Sequence, residues 1–235
     1  MSEPSGRVWV LREFHLFQDL HESEVAAIGE AAPMRRLLAG QLIYSPGQPA
    51  EVLFILKAGR IRLFQVGQDG RTVTLGFVVP GEIFGEMSML GQHLEHTFAE
   101  ADEDCLVCVM GRRDVERLLL ADSRIATRVA EHLGRRVAEL ERRLGESVLL
   151  SAPDRIVATV LRMSAGGRAI RVTHEQLAEL VGSTRETTTK VLGELSDRGL
   201  VALRRGRIVV LDQDSLAALA GSGLQVRTGG RPGIG

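Results

Sequence analysis

Three residues in the C-terminal part of the chain, Arg185, Glu186 and Lys190, have side chains and a helical spacing that suit the reading of base pairs. An arginine can donate two hydrogen bonds to O6 and N7 of guanine, and a glutamate can accept one from N4 of cytosine. Thr189, on the same face, can contact a thymine methyl group or a phosphate. We expect this face to enter a major groove. The alternative is a solvated helix face on which Ser183 and Glu186 form a capping box.

Two helices joined by a tight turn are expected to position these side chains. Thr173 should cap the first helix with Gln176 completing a capping box, and Gly182 should end it. Either Ser183 or Thr184 should then cap the second helix. The inward side of the second helix is formed by Thr188, Val191, Leu192 and Leu195.

A basic hairpin is expected directly after the second helix. Two short β-branched runs within residues 200–211 flank Arg204, Arg205, Gly206 and Arg207, a pattern typical of a hairpin with a glycine-containing turn. Arginines at the tip of such a hairpin are placed to meet phosphates. Helix, turn, helix and hairpin together predict a winged helix-turn-helix.

The segment 182–187, GSTRET, with Lys190 after it, resembles the recognition segment of the CRP/FNR family of bacterial transcription regulators, with Thr184 in place of the usual serine. The resemblance implies that Arg185, Glu186 and Lys190 read a half-site like TGTGA. It also implies double-stranded DNA and RNA polymerase as partners. With the hairpin included, the residues expected on the DNA backbone are Thr173, Thr184, Thr187, Thr189, Arg205 and Arg207.

The 235-residue chain is long enough for two modest domains, and its formal net charge is −1. Residues 151–235 hold 12 Lys and Arg against 8 Asp and Glu, whereas residues 1–150 hold 17 against 22. This asymmetry fits a DNA-binding part joined to a sensor, although ordinary fluctuation would also produce it. The sequence has neither a signal peptide nor an apolar run of about 20 residues, so we expect a cytoplasmic protein with no membrane partner.

Short strands separated by glycine turns predict an antiparallel β-roll, or jelly roll, in the N-terminal part. The expected strands are 34–38, 41–44, 52–57, 60–66, 72–78 and 104–110. Residues 43–61 resemble the cyclic-nucleotide-binding roll of the same family. Cys105 and Cys108 are three residues apart on the last strand, so they should point to opposite faces and share no metal ion.

Residues 80–90, PGEIFGEMSML, resemble the phosphate cassette of that family, which implies an effector pocket containing Gly85, Glu86 and Met87. The resemblance also calls for an arginine further along the chain to pair with a cyclic phosphate. Residues 91–100 contain no Arg or Lys, and the corresponding positions are Glu95, His96 and Thr97. A carboxylate there would repel a phosphate.

A second element of cyclic AMP recognition is also missing. In relatives that bind this nucleotide, two hydroxyl residues on the long helix contact the adenine, and the corresponding residues here are Leu140 and Glu141. We therefore expect no cofactor and disfavour cyclic AMP, while a small anionic effector stays open. Haem ligation by His93 or His96 is a minor alternative.

A long helix is expected over residues 123–150. Its apolar seam contains Ile125, Val129, Leu133, Val137, Leu140, Leu144 and Val148. Spacings of three and four residues are close to those of a coiled coil, which predicts a homodimer through this helix. The alternative is a helix buried against its own roll.

The sequence thus predicts an α+β chain. Its parts are a β-roll sensor (1–122), a dimerisation helix (123–150), a winged helix-turn-helix (151–221) after a hinge at 151–154, and a disordered tail (222–235). The expected function is homodimeric, sequence-specific transcription regulation without cyclic AMP, and the alternative is a cyclic AMP-dependent activator. A cyclic-nucleotide module without DNA function and an enzyme are competing classes. We find no catalytic nucleophile with its base and orienting group at motif spacing, and no metal-ligand cluster.

Overall fold

The computed structural model describes residues 33–46, 52–86, 96–121 and 123–223. The chain forms two compact units, Met1–Val137 and Ala138–Gly235, and the division between them falls inside the longest helix. The functional bounds expected from the sequence, at residues 122, 150 and 221, stay a prediction. Within the described ranges, no helix is both long and apolar enough to span a membrane.

The described part of the first unit contains eight strands. They are β1 (Met34–Leu37), β2 (Leu42–Tyr44), β3 (Val52–Ala58), β4 (Ile61–Val66), β5 (Thr72–Val78), β6 (Ile83–Glu86), β7 (Phe98–Ala101) and β8 (Cys105–Gly111). Two four-stranded sheets result, in the orders β1-β8-β3-β6 and β2-β7-β4-β5, and the paired strands are antiparallel. The antiparallel roll is therefore confirmed, although β6 and β7 were not predicted.

The apolar core of the first unit draws side chains from both sheets. Phe54 and Leu56 of β3 belong to this core, and the ring of Phe54 stacks on that of Phe84 with 5.1 Å between centroids. Leu53 and Ile55 alternate with them and are also buried. Because successive side chains of a strand point to opposite faces, β3 is covered on both sides.

Two helices follow the roll, α1 (Arg112–Ala121) and α2 (Ser123–Leu149). The beginning of α2 is buried by its own chain, since Ile125 is 2% exposed and Val129 is 6% exposed. Val129 was expected to line an apolar seam open to a second copy of the chain. Its burial within one chain contradicts this expectation. The exposed apolar residues of α2 begin further along and are Val137, Leu140, Leu144, Val148 and Leu149.

The second unit, after the last turns of α2, is a winged helix-turn-helix. Its elements are α3 (Ala152–Met163), a 3-10 turn (Ser164–Gly166), β9 (Ala169–Arg171), α4 (His174–Val181), α5 (Arg185–Asp197), β10 (Val201–Arg204), β11 (Arg207–Val210) and α6 (Gln213–Gly223). The hairpin pairs as predicted, and β9 adds an unpredicted third strand in the order β10-β11-β9. Asp212 caps α6 through its Oδ1, which accepts from Ser215 N at 3.0 Å.

A cluster of charged side chains connects the last turns of α2 to α3. Arg142 bonds both Glu139 and Glu146 on its own helix. Arg162 of α3 approaches the same Glu146, with 3.2 Å between Nη1 and Oε1. The Glu146 side chain is only 9% exposed, and a buried carboxylate needs such partners because it has lost its water.

One buried polar group in the core of the second unit, a threonine hydroxyl, lacks such partners. Thr188 of α5 is 0% exposed and stands among apolar side chains, and its Oγ1 has no hydrogen-bond partner within the described structure. A buried hydroxyl without a partner destabilises the fold because folding removes the hydrogen bonds it makes with water.

We predict that Thr188→Val, which keeps the shape and removes the hydroxyl, raises the free energy of unfolding by about 1–2 kcal/mol. Urea denaturation with an unchanged m value would measure it. The matched control is Thr189→Val on the exposed side of the same helix, for which we expect a change within about 0.5 kcal/mol. A Thr188→Val protein less stable than the wild type would mean that the hydroxyl has a partner.

Candidate nucleic-acid interface

The turn between α4 and α5 is built by two threonine caps and one glycine. Thr173 caps α4 by accepting from Gln176 N at 3.1 Å, and the Gln176 side chain returns a bond to Thr173 N, so the predicted capping box is confirmed. Gly182 has φ +65°, a left-handed conformation that glycine adopts without strain. Thr184 caps α5 by accepting from Thr187 N at 3.2 Å. The alternative cap on Ser183 is therefore wrong.

Helix α5 has the two faces expected from its sequence. Thr188, Val191, Leu192 and Leu195 are buried. The residues on the opposite face, Arg185, Glu186, Thr189 and Lys190, are exposed. Hydrogen bonding to its own backbone N–H, and then to the Thr184 hydroxyl, lowers the pKa of Glu186, so this carboxylate is an ionised acceptor at neutral pH.

Two residues in the first turn of α4 contact this exposed face, and the sequence analysis missed both. The ring Nδ1 of His174 lies 3.0 Å from Thr189 Oγ1. Oε2 of Glu175 lies 3.8 Å from Nε of Arg185, in an exposed ion pair. Sequence periodicity could not have indicated them, because it assigns faces within one helix and not contacts between two.

The wing presents three exposed arginines, Arg204, Arg205 and Arg207. Arg204 and Arg207 are paired across the hairpin, so the turn consists of Arg205 and Gly206. Gly206 has φ +66°, a left-handed conformation that glycine adopts without strain. The predicted hairpin with an arginine-bearing tip is therefore present.

The candidate effector pocket is only partly described. Gly85 and Glu86 end strand β6, while Met87 and Glu95 lie outside the described residues, as does His93. His96 is exposed and Thr97 is buried. Leu140 and Glu141 are exposed and belong to the second unit. Their combination into one pocket stays a prediction.

Gly85 is explained by backbone packing alone. Its φ is +133°, and a Cβ at this position would lie 2.3 Å from the carbonyl oxygen of Val52 on β3. Contacts this short do not occur, so any side chain would push β6 away from β3. The fold requires this glycine whether or not an anion binds beside it.

Neither of the two cysteines forms a disulfide, and both are buried. Cys105 belongs to the core between the sheets, and Cys108, although fully buried, does not, which agrees with opposite faces. Burial raises the pKa of both thiols, so they are protonated and unreactive at neutral pH. Across the described ranges, no group of three or more His, Cys, Asp or Glu residues could hold a metal ion.

Comparison with known proteins identifies both parts of the chain. The model of the cyclic nucleotide-binding domain matches residues 34–122, and the model of the Crp-like helix-turn-helix domain matches residues 154–219. The cyclic AMP receptor protein of Thermus thermophilus is 30% identical over 87% of this chain and 96% of its own. The transcriptional regulator SdrP of the same organism is 33% identical over 78% of this chain and 92% of its own.

A solved structure adds the three-dimensional match. TTHA1359, a CRP/FNR family transcriptional regulator from Thermus thermophilus, superimposes with a TM-score of 0.65 at 31% identity, covering 80% of this chain and 98% of the other. The chain therefore belongs to the CRP/FNR family of DNA-binding transcription regulators. This family consists of regulators and not of enzymes, which confirms the expectation from the sequence.

Proposed function

We propose that the protein is a homodimeric transcription regulator that reads an inverted repeat of TGTGA-like half-sites and does not need cyclic AMP. The proposal that the protein reads bases is supported by the exposed face of α5. Arg185, Glu186 and Lys190 lie on this face and are open to solvent. One turn separates Glu186 from Lys190, so the set reaches successive base pairs of a major groove. RNA polymerase is the expected protein partner, and the cytoplasm the expected site of action.

Phosphate contacts would hold this helix in register. Thr173 and Thr184 are helix caps, and Thr187 and Thr189 lie within the first turns of α5. Their hydroxyls and the positive dipole ends of two helix N-termini suit phosphate oxygens. Arg205 and Arg207 of the wing add two positive charges.

The dimer is supported by exposed apolar side chains on α2. Val137 is 54% exposed, Leu140 49%, Leu144 67% and Val148 75%. Their spacings of three, four and four residues put them on one stripe, and a stripe of large apolar residues marks an interaction surface. A second copy of the same helix is the occupant that also supplies a second recognition helix, which a palindromic site requires.

The proposed independence from cyclic AMP rests on the absence of an arginine or lysine that could pair with the cyclic phosphate. Residues 91–100 carry two carboxylates and no Arg or Lys. Losing a charge-assisted pair to the phosphate should weaken binding by about 1.5–3 kcal/mol, more than tenfold in affinity. The alternative, a cyclic AMP-dependent activator, is favoured by the similarity to the cyclic AMP receptor protein of Thermus thermophilus.

Replacing Arg185 should remove specificity, whereas replacing a wing arginine should remove only affinity. We expect Arg185→Ala to weaken binding to the inverted repeat by about 1–3 kcal/mol and to relax the preference at one G·C pair. Arg205→Ala, the matched control, should weaken binding to all sequences alike and reduce the salt dependence by about one phosphate contact. Fluorescence anisotropy with repeat and scrambled duplexes measures both. Equal losses on both duplexes for Arg185→Ala would remove this residue from the readers.

Charges in the exposed stripe should separate the dimer. We expect the Leu140→Asp, Leu144→Asp double variant to sediment as a monomer at micromolar concentration and to lose cooperative binding to the repeat, because two carboxylates would be buried at the interface. The control is Leu38→Asp, since Leu38 is equally apolar and 63% exposed in the first unit. A variant that remains dimeric places the interface elsewhere.

Titration calorimetry with cyclic AMP tests ligand independence. We expect no binding at micromolar concentration and the same operator affinity with and without the nucleotide, because a ligand activates only by preferring the DNA-competent form. Micromolar binding that raises operator affinity tenfold or more would contradict this part of the proposal and favour the alternative.

A further inference from the structure

The first turn of α4 touches the DNA-facing side of α5 through a titratable side chain. His174 is half-buried, and its Nδ1 lies 3.0 Å from Oγ1 of the exposed Thr189. Thr189 shares the exposed face of α5 with Arg185 and Lys190, so an imidazole is fixed at the edge of the recognition surface.

The protonation state of His174 decides what Thr189 can offer to DNA. A neutral imidazole can accept the threonine hydroxyl proton at Nδ1, and that proton is then turned away from DNA. A protonated imidazole has an N–H at both ring nitrogens, so Nδ1–H donates to Thr189 Oγ1. The hydroxyl proton is then free for a phosphate oxygen or a base acceptor, and the ring adds one positive charge.

Burial and the charge of Arg185 favour the neutral form of His174 in the free protein. Burial, and next the positive charge of Arg185 on α5, lower the pKa of His174 below its ordinary value of 6.5. Glu175, the following residue, lies near Arg185, and that exposed ion pair weakens the repulsion only in part. DNA phosphates reverse this balance because a nearby anion favours the imidazolium.

We propose that His174 is a positioning residue of the recognition surface that orients Thr189 and takes up a proton when DNA binds, so that DNA affinity rises as the pH falls. This inference rests on the proposed DNA-reading role of α5. The direction follows from linkage: when the protonated form is favoured in the complex, affinity increases as pH falls through the pKa of the bound state. It levels off below the pKa of the free state.

The test is the affinity of the full-length protein for the repeat and scrambled duplexes at pH 6, 7 and 8 and constant ionic strength. We expect a gain of about threefold to tenfold between pH 8 and 6, since at most one proton is taken up. His174→Asn, which keeps a short hydrogen-bonding group but does not titrate, should bind as the wild type does at pH 8 and show no such gain. His174→Ala should also lose affinity at pH 8.

Two controls isolate this residue. His21→Asn removes a histidine far from the recognition segment in the sequence and should keep the full pH dependence. Thr189→Val should lower affinity at pH 6 more than at pH 8, because the freed hydroxyl is then missing. Calorimetry in buffers of different ionisation enthalpy should find proton uptake by the wild type and none by His174→Asn.

The outcomes separate this inference from the proposed function. If repeat and scrambled duplexes bind equally but the pH dependence still vanishes in His174→Asn, base reading fails and the role of His174 stands, because phosphates are present on both. If the repeat is preferred and His174→Asn keeps the wild-type pH dependence, the inference is overturned and base reading stands. If neither duplex binds, both fail.

Discussion

A single guanidinium group closes the ends of two helices in the DNA-binding unit. Nη1 of Arg155 donates to the carbonyl oxygen of Leu150, just after α2, at 2.8 Å. Nε and Nη2 donate to the carbonyls of Val181 and Gly182 at 2.8 and 3.1 Å. Helix C-termini leave carbonyls unpaired, and a cation there is favoured by the helix dipole. The recognition turn and the end of the long helix are therefore set by one side chain of α3.

The position of α5 then decides what each of its residues does. With 3.6 residues per turn, the face that packs against the core and the face that meets solvent are fixed together. Leu192 and Leu195 are buried, so Arg185 and Lys190 must point outward. A shift of α5 by one residue would rotate its outer face by about 100°, which is why the caps at Thr184 and Gly182 matter for base reading.

The features that depend only on neighbouring residues could be predicted from the sequence. The winged helix-turn-helix, the cap at Thr173 and six of the described strands follow from periodicity and turn chemistry, which act over a few residues. The assignments that failed depend on distant packing. Strand β6 pairs with β3 some thirty residues earlier, and Val129 is buried by its own chain.

The candidate site also has a part that could be predicted from the sequence and a part that could not. The outward face of α5 could be predicted because one helix determines it. The contact of His174 with Thr189 could not be predicted, because it joins residues 15 positions apart on two helices and depends on how these helices cross.

One glycine of the cassette is required by the fold itself and not by an effector. Gly85 is needed because its backbone approaches Val52 so closely that a Cβ would collide with the carbonyl oxygen. Selection for a folded roll would keep this glycine in a protein that binds no nucleotide. Its presence therefore indicates a roll and not a ligand. A cyclic phosphate needs a positive charge, and residues 91–100 instead hold Glu95 and Glu100. The missing charge therefore says more about an effector than the cassette glycine does, because backbone packing explains the glycine.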